Sequence, residues 1–156
     1  MADQNGWTVL EISVSLGIIS ALTAWTYPSM AAWSKSIGFR SEVSSLVCCL
    51  HRAKIEAIKS NSFVVVEARH DGYSIFIDNS CVPGKAGDWI RQADERQIVN
   101  CTLKKGLTLT TNFQNPKDKM RFCGRPGIKS GRFIMTDADG RRMDIVLSVS
   151  GRIRVQ

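Results

Sequence analysis

Gly6-Trp7-Thr8-Val9-Leu10-Glu11 opens a run that continues through Ile12-Ser13-Val14-Ser15-Leu16-Gly17-Ile18-Ile19 as far as Trp33, and Glu11 is the one charge inside it. The 22 residues from Ile12 to Trp33 carry no charge, which as a helix is enough to cross about 30 Å of hydrocarbon. A carboxylate near such a span costs roughly 3 kcal/mol on insertion scales, so it marks function and calls for a partner. Ser13, Ser15, Ser20, Thr23, Thr26 and Ser29 make the span only weakly apolar, better suited to packing among other helices than to facing lipid all round. Pro28 removes one i to i−4 hydrogen bond and predicts a bend. An ordinary secretory signal does not fit, because Met1 to Gly6 contains no Lys or Arg and the best cut precedes the apolar run.

Length and charge narrow the class of protein. With 156 residues and 44% hydrophobic composition, the chain holds one anchor and one small globular domain. Residues 35–156 contain all 21 Lys and Arg against 12 acidic residues, a net charge of +9. A field of that sign suits nucleic acid, anionic lipid or an acidic protein surface, and equally a solvated surface with no partner. Five cysteines suggest an oxidising compartment but cannot all pair. Cys48 and Cys49 are neighbours on a predicted helix and diverge by about 100°, so they read as small core residues. Cys101 with Cys123 or Cys81 is then the expected bridge.

Beyond Trp33 the chain is organised by its periodicity. Val43, Leu46, Val47, Leu50, Ala53, Ala57 and Ile58 recur at three- and four-residue steps, the stripe of a helix lying on a core. One helix is predicted from about Trp7 to Lys59, with weak points at Pro28 and Gly38. After Asn61 the period becomes two. Residues 63–69 and 73–77 flank Asp71-Gly72, and residues 132–136 and 142–148 flank Asp139-Gly140, both hairpin signals. Residues 98–103 and 107–113 read as strands around Lys104-Lys105-Gly106, and 152–155 as a last strand. Residues 79–96 and 114–130, with Gly84, Gly87, Gly124 and Gly127, read as loops. A helix laid across antiparallel hairpins is an α+β fold.

These features resemble the type IV pilin and pseudopilin family. Over residues 6–33 the resemblance rests on a small residue before the cut (Gly6), an aromatic first residue (Trp7), Thr8, two apolar residues, Glu11, and Pro28 at the kinking position. Later residues resemble the GspH/FimT type of minor pseudopilin: Ala53-Lys54-Ile55-Glu56-Ala57-Ile58, Asn61 and a valine-rich strand, then Gly131-Arg132-Phe133-Ile134, Asp139-Gly140, Ile145 to Val149 and Ser150-Gly151-Arg152-Ile153. The resemblance implies a leader at residues 1–6 removed by a prepilin peptidase, methylation of Trp7, a membrane and assembly helix at 7–33, and a head at 34–156. It implies a single-pass protein of the bacterial inner membrane whose head is periplasmic or part of an extracellular filament. Its partners would be other pilins, held through their N-terminal helices, with Glu11 paired to the amine of a neighbouring Trp7. Such pairing offsets the desolvation of both charges.

Some FimT-like proteins bind DNA through a C-terminal arginine pair, which carries over to Arg152 and Arg154. Residues two apart on a strand face one way, and guanidinium forks match phosphate oxygens. Arg141, Arg142, Lys104 and Lys105 would extend that patch; the alternative is a solvated edge that discourages aggregation. No catalytic, metal or cofactor motif is present. His51 and His70 have no motif partner. Asp137-Ala138-Asp139-Gly140 lacks the later Glu of a calcium loop and reads as a turn.

Overall fold

The computed structural model describes residues 8–79, 87–114, 116–124, 128 and 130–156; for Pro28, Ser29 and Ala31 it describes the backbone. The chain divides into two units, Met1–Arg40 and Ser41–Gln156.

Helix α1 (Val9–Ser60) is started by Thr8, whose Oγ1 accepts the Glu11 N–H at 3.3 Å while its carbonyl accepts that of Ile12. Thr8-Val9-Leu10-Glu11 thus has the spacing of a capping box, with an acid favourably placed against the positive end of the helix dipole. The helix is unbroken through positions 28 and 38. Asn61 ends it in the left-handed region, φ 48°, a conformation that helix ends take readily with Asn or Gly.

In the second unit, α1 buries Val43, Leu46, Leu50, Ala53 and Ala57. Ile58, counted into this stripe from its spacing, is exposed. It lies about 100° around the helix from Ala57, and the small Ala53 and Ala57 define the contact line instead. Cys48 is exposed and Cys49 half-buried, so neither is the core residue expected.

Eight strands come after α1: β1 (Phe63–Arg69), β2 (Gly72–Asp78), β3 (Gln97–Thr102), β4 (Leu107–Thr111), β5 (Lys119–Phe122), β6 (Gly131–Asp137), β7 (Arg142–Leu147) and β8 (Ile153–Val155). They form two antiparallel sheets, ordered β3-β2-β1-β5 and β4-β6-β7-β8. Both expected hairpins are present, and the α+β class holds. Strands β3 and β4, though adjacent in sequence, belong to different sheets. The β1–β2 turn anchors both, since the Asp71 carbonyl accepts Leu103 N–H and the His70 carbonyl accepts Leu109 N–H. Strand β5 occupies part of the segment expected to be a loop.

Register sorts the first sheet into two faces. Val64, Val66, Ala68, Tyr73, Ile75, Ile77, Met120 and Phe122 share one face and are buried; Tyr73 reaches α1 from it, its hydroxyl 3.5 Å from Cys49 Sγ. On the opposite face lie Phe63, Val65, Phe76, Asp78, Lys119 and Arg121. In the second sheet Leu109, Phe133, Met135, Ile145 and Leu147 are buried, with Phe113 edge-on to Phe133 at 5.2 Å. The Lys54 ammonium donates to the Gly151 carbonyl at 3.0 Å, joining α1 to the turn before β8. Gly151 has φ 74°, which favours glycine.

The expected Cys101–Cys123 bridge is incompatible with this topology. Cys101 lies on β3 and Cys123 directly follows β5, the two outer strands of one sheet. Three strand spacings separate them, about 14 Å, far beyond disulfide reach. Cys81 lies outside the described residues.

Candidate assembly site

The stretch from Val9 to Trp33 is α-helical throughout, and its large apolar side chains stand exposed: Val9, Leu10, Leu16, Leu22, Trp25, Met30 and Trp33 among them, with Trp25 at 84%. It is the one helix among the described residues long and apolar enough to cross a membrane. Five of the hydroxyls that weaken its apolar character are internally satisfied. Ser13, Ser15, Ser20, Thr23 and Thr26 each donate to the carbonyl four residues earlier at 2.7–2.8 Å. A hydroxyl paired within its own helix adds little cost in hydrocarbon.

Glu11 is exposed, one turn into the helix, and no cation lies within ion-pair distance of it among the described residues. The arrangement offers an exposed carboxylate at the head of an uncovered apolar surface. Gly6 and Trp7 lie outside the described residues. The Thr8 cap was missed in the sequence although its signal, a Thr three residues before a Glu and an apolar run, was available.

The basic residues grouped from sequence are only partly brought together, and three of the six carry acids of their own. Arg141 pairs with Asp137 at 2.7 Å and Asp139 at 3.1 Å. Arg142 pairs with Asp144 at 2.7 Å, and Lys104 with Glu42 at 3.1 Å. Arg142's hydrogen bond draws the Asp144 carboxyl below its usual range, and Arg132 assists. Arg152, Arg154 and Lys105 are exposed. Arg154 lies on β8 and Arg152 directly precedes that strand.

A second constellation went unread in the sequence. The Asp78 carboxylate, on a residue 1% exposed, accepts the N–H groups of Gly87 at 2.6 Å and Trp89 at 3.0 Å. Arg121 lies between the rings of Phe63 and Trp89, 4.3 and 4.2 Å from their centroids, and donates to the Gly87 carbonyl. Lys119 donates to the Trp89 carbonyl at 2.8 Å. Together they hold Gly87 and Trp89 against the outer face of the sheet, a structural clamp.

Three comparisons bear on what carries this arrangement. The family model described as "Type II transport protein GspH" matches residues 42–151. No curated protein matches. Among solved structures, the type IV minor pilin FimU of Pseudomonas aeruginosa (strain PAO1) is 15% identical with a TM-score of 0.55, covering 80% of this chain and 92% of that one. The minor pseudopilin EpsH from the Type 2 Secretion System of Vibrio cholerae is 15% identical with a TM-score of 0.59, covering 76% and 95%. At this identity the likeness establishes a shared fold.

Proposed function

Because the chain belongs to the GspH family of type II transport proteins, we propose that it is a minor pilin or pseudopilin, a structural subunit of a type IV pilus or type II secretion pseudopilus. The observation that carries this reading is the uncovered apolar helix with Glu11 as its sole charge, continuous in one element with the helix that bears the head's core. In this reading residues 1–6 are a leader cut after Gly6 by a prepilin peptidase. Residues 7–33 anchor the protein in the inner membrane and later pack among other subunits' helices, and residues 34–156 form the head on the outer side. The family match and the fold shared with FimU and EpsH support the role. Neither adds support to the DNA-binding alternative, and with Arg141, Arg142 and Lys104 ion-paired that reading is not carried forward.

Glu11→Leu tests the proposal. The change removes the charge and keeps the apolar helix, so the variant should remain in the membrane fraction. Its incorporation should fall at least about tenfold, the equivalent of roughly 1.4 kcal/mol for one lost partly buried charge pair. Immunoblotting of sheared filaments or cross-linked pseudopili measures this. Unchanged incorporation would remove Glu11 from the assembly site.

A further inference from the structure

Helix α1 and the edge strand β3 are fastened at both ends of their contact. Glu42 pairs with Lys104, two residues past β3, at 3.1 Å. Glu56 pairs with Arg96, the residue before β3. Glu42, Cys49 and Glu56 succeed one another at seven-residue intervals, so they lie along one line of the helix, with about 10.5 Å between successive members. Moving back from Lys104 by a similar distance along the strand, three residues or about 10 Å, reaches Cys101. Arg96 lies further on, beyond the irregularity in the β2–β3 pairing, and its long side chain spans the difference. Cys49 and Cys101 therefore occupy facing positions between two ion pairs.

Tyr73 links them independently. Its Cα is the direct cross-strand partner of Cys101, which puts both side chains on the face of the sheet turned to α1. Its hydroxyl donates to Cys49 Sγ at 3.5 Å. Both thiols are half-buried and free, so each is partly open to a reagent in solution.

We propose that Cys49 and Cys101 form a disulfide that staples helix α1 to the edge strand β3 when the head meets a disulfide oxidant. The Cys49 thiolate attacks one sulfur of the oxidant, forming a mixed disulfide and releasing the oxidant's first thiolate. The Cys101 thiolate then attacks Cys49 Sγ, forming the Cys49–Cys101 bond and releasing the second. Two protons leave the protein, and two electrons pass to the oxidant. Tyr73 keeps its proton through this, because its own burial and the Cys49 sulfur beside it raise its ionisation well above the ordinary range. The hydroxyl thus remains a donor able to steady the Cys49 thiolate. The cellular oxidant depends on the proposed placement of the head outside the inner membrane; the facing of the two thiols does not.

The full chain purified in detergent and incubated with oxidised glutathione tests the bond directly, whatever the head's location. After alkylation of remaining thiols and non-reducing trypsin digestion, peptide 41–52 should be recovered joined to peptide 97–104 with the loss of two hydrogens. Cys48→Ser should leave that species intact, assigning the bond to Cys49, whereas Cys49→Ser should abolish it and leave Cys101 alkylated. If Cys49→Ser does not accumulate, Cys101→Ser reads the same bond from the other side, with the alkyl group on Cys49. Recovery of both peptides separately alkylated, or of Cys101 joined to Cys81 or to Cys48, would overturn the proposal. Failure of the pilin reading would show instead in filament incorporation, which this measurement does not involve.

Discussion

Asp78 shows how much one buried side chain can hold in this head. Its buried carboxylate meets two backbone N–H groups of the following loop, so truncation orphans both donors at once. Asp78→Ala should therefore destabilise the head by about 2–4 kcal/mol, taking 1–3 kcal/mol for each unsatisfied buried group with partial rescue by water. Urea unfolding followed by tryptophan fluorescence measures it, and a change below about 0.5 kcal/mol would mean that the loop finds other partners. Nothing in the sequence around Asp78 announced this role. An acid at the end of a hydrophobic strand reads as a strand boundary, and its partners lie 9 and 11 residues on, in a segment without periodicity. Glu11 was legible for the opposite reason, because a lone charge in an apolar run contrasts with every neighbour.

At the scale of elements, β6 and β7 hold a charge network whose behaviour with pH is set by its sign. Arg142 and Arg132 both reach Asp144, and the Asp144 carboxyl titrates below its ordinary value. A depressed carboxyl contributes stability that is complete above its unfolded-state pKa, about 3.9, and is lost as pH falls through the lower folded-state value. Asp144→Asn should accordingly lower stability at neutral pH and flatten the decline below about pH 4. Thermal unfolding from pH 2 to 7 checks both, and parallel acid limbs for the two proteins would show that the network adds nothing.

Helix α1 and the two hairpins were readable because each declares itself locally, by a period or by a turn dipeptide. Strand β5 was not. Lys119-Met120-Arg121-Phe122 alternates as a half-buried strand should, but four residues among turn formers give a periodicity argument little to work on. Its partner β1 lies over fifty residues earlier. The separation of β3 and β4 into different sheets was likewise invisible, since it depends on carbonyls of the distant β1–β2 turn.

For the whole molecule, the processing proposal makes a mass prediction. If Gly6 marks the cut, chain extracted from membranes should lack Met1 to Gly6 and carry one methyl group on Trp7, whereas Gly6→Leu should leave the leader in place with the head's unfolding midpoint unchanged. Intact-mass measurement decides between these, and a mature chain beginning at Ala24 or Ala32 would end the pilin reading. The bond from Lys54 to Gly151 has a consequence for biosynthesis. It joins residues 97 positions apart, and Gly151 precedes the strand that closes the second sheet. A ribosome must therefore pass Gly151 before Lys54, on the first element of the head, can make this bond. Until then α1 has only the partners supplied by earlier parts of the chain, Tyr73 among them, and the packing of the head is incomplete. Protease resistance of the head should accordingly become complete only once Gly151 and β8 have been synthesised, which limited proteolysis of stalled chains of increasing length measures.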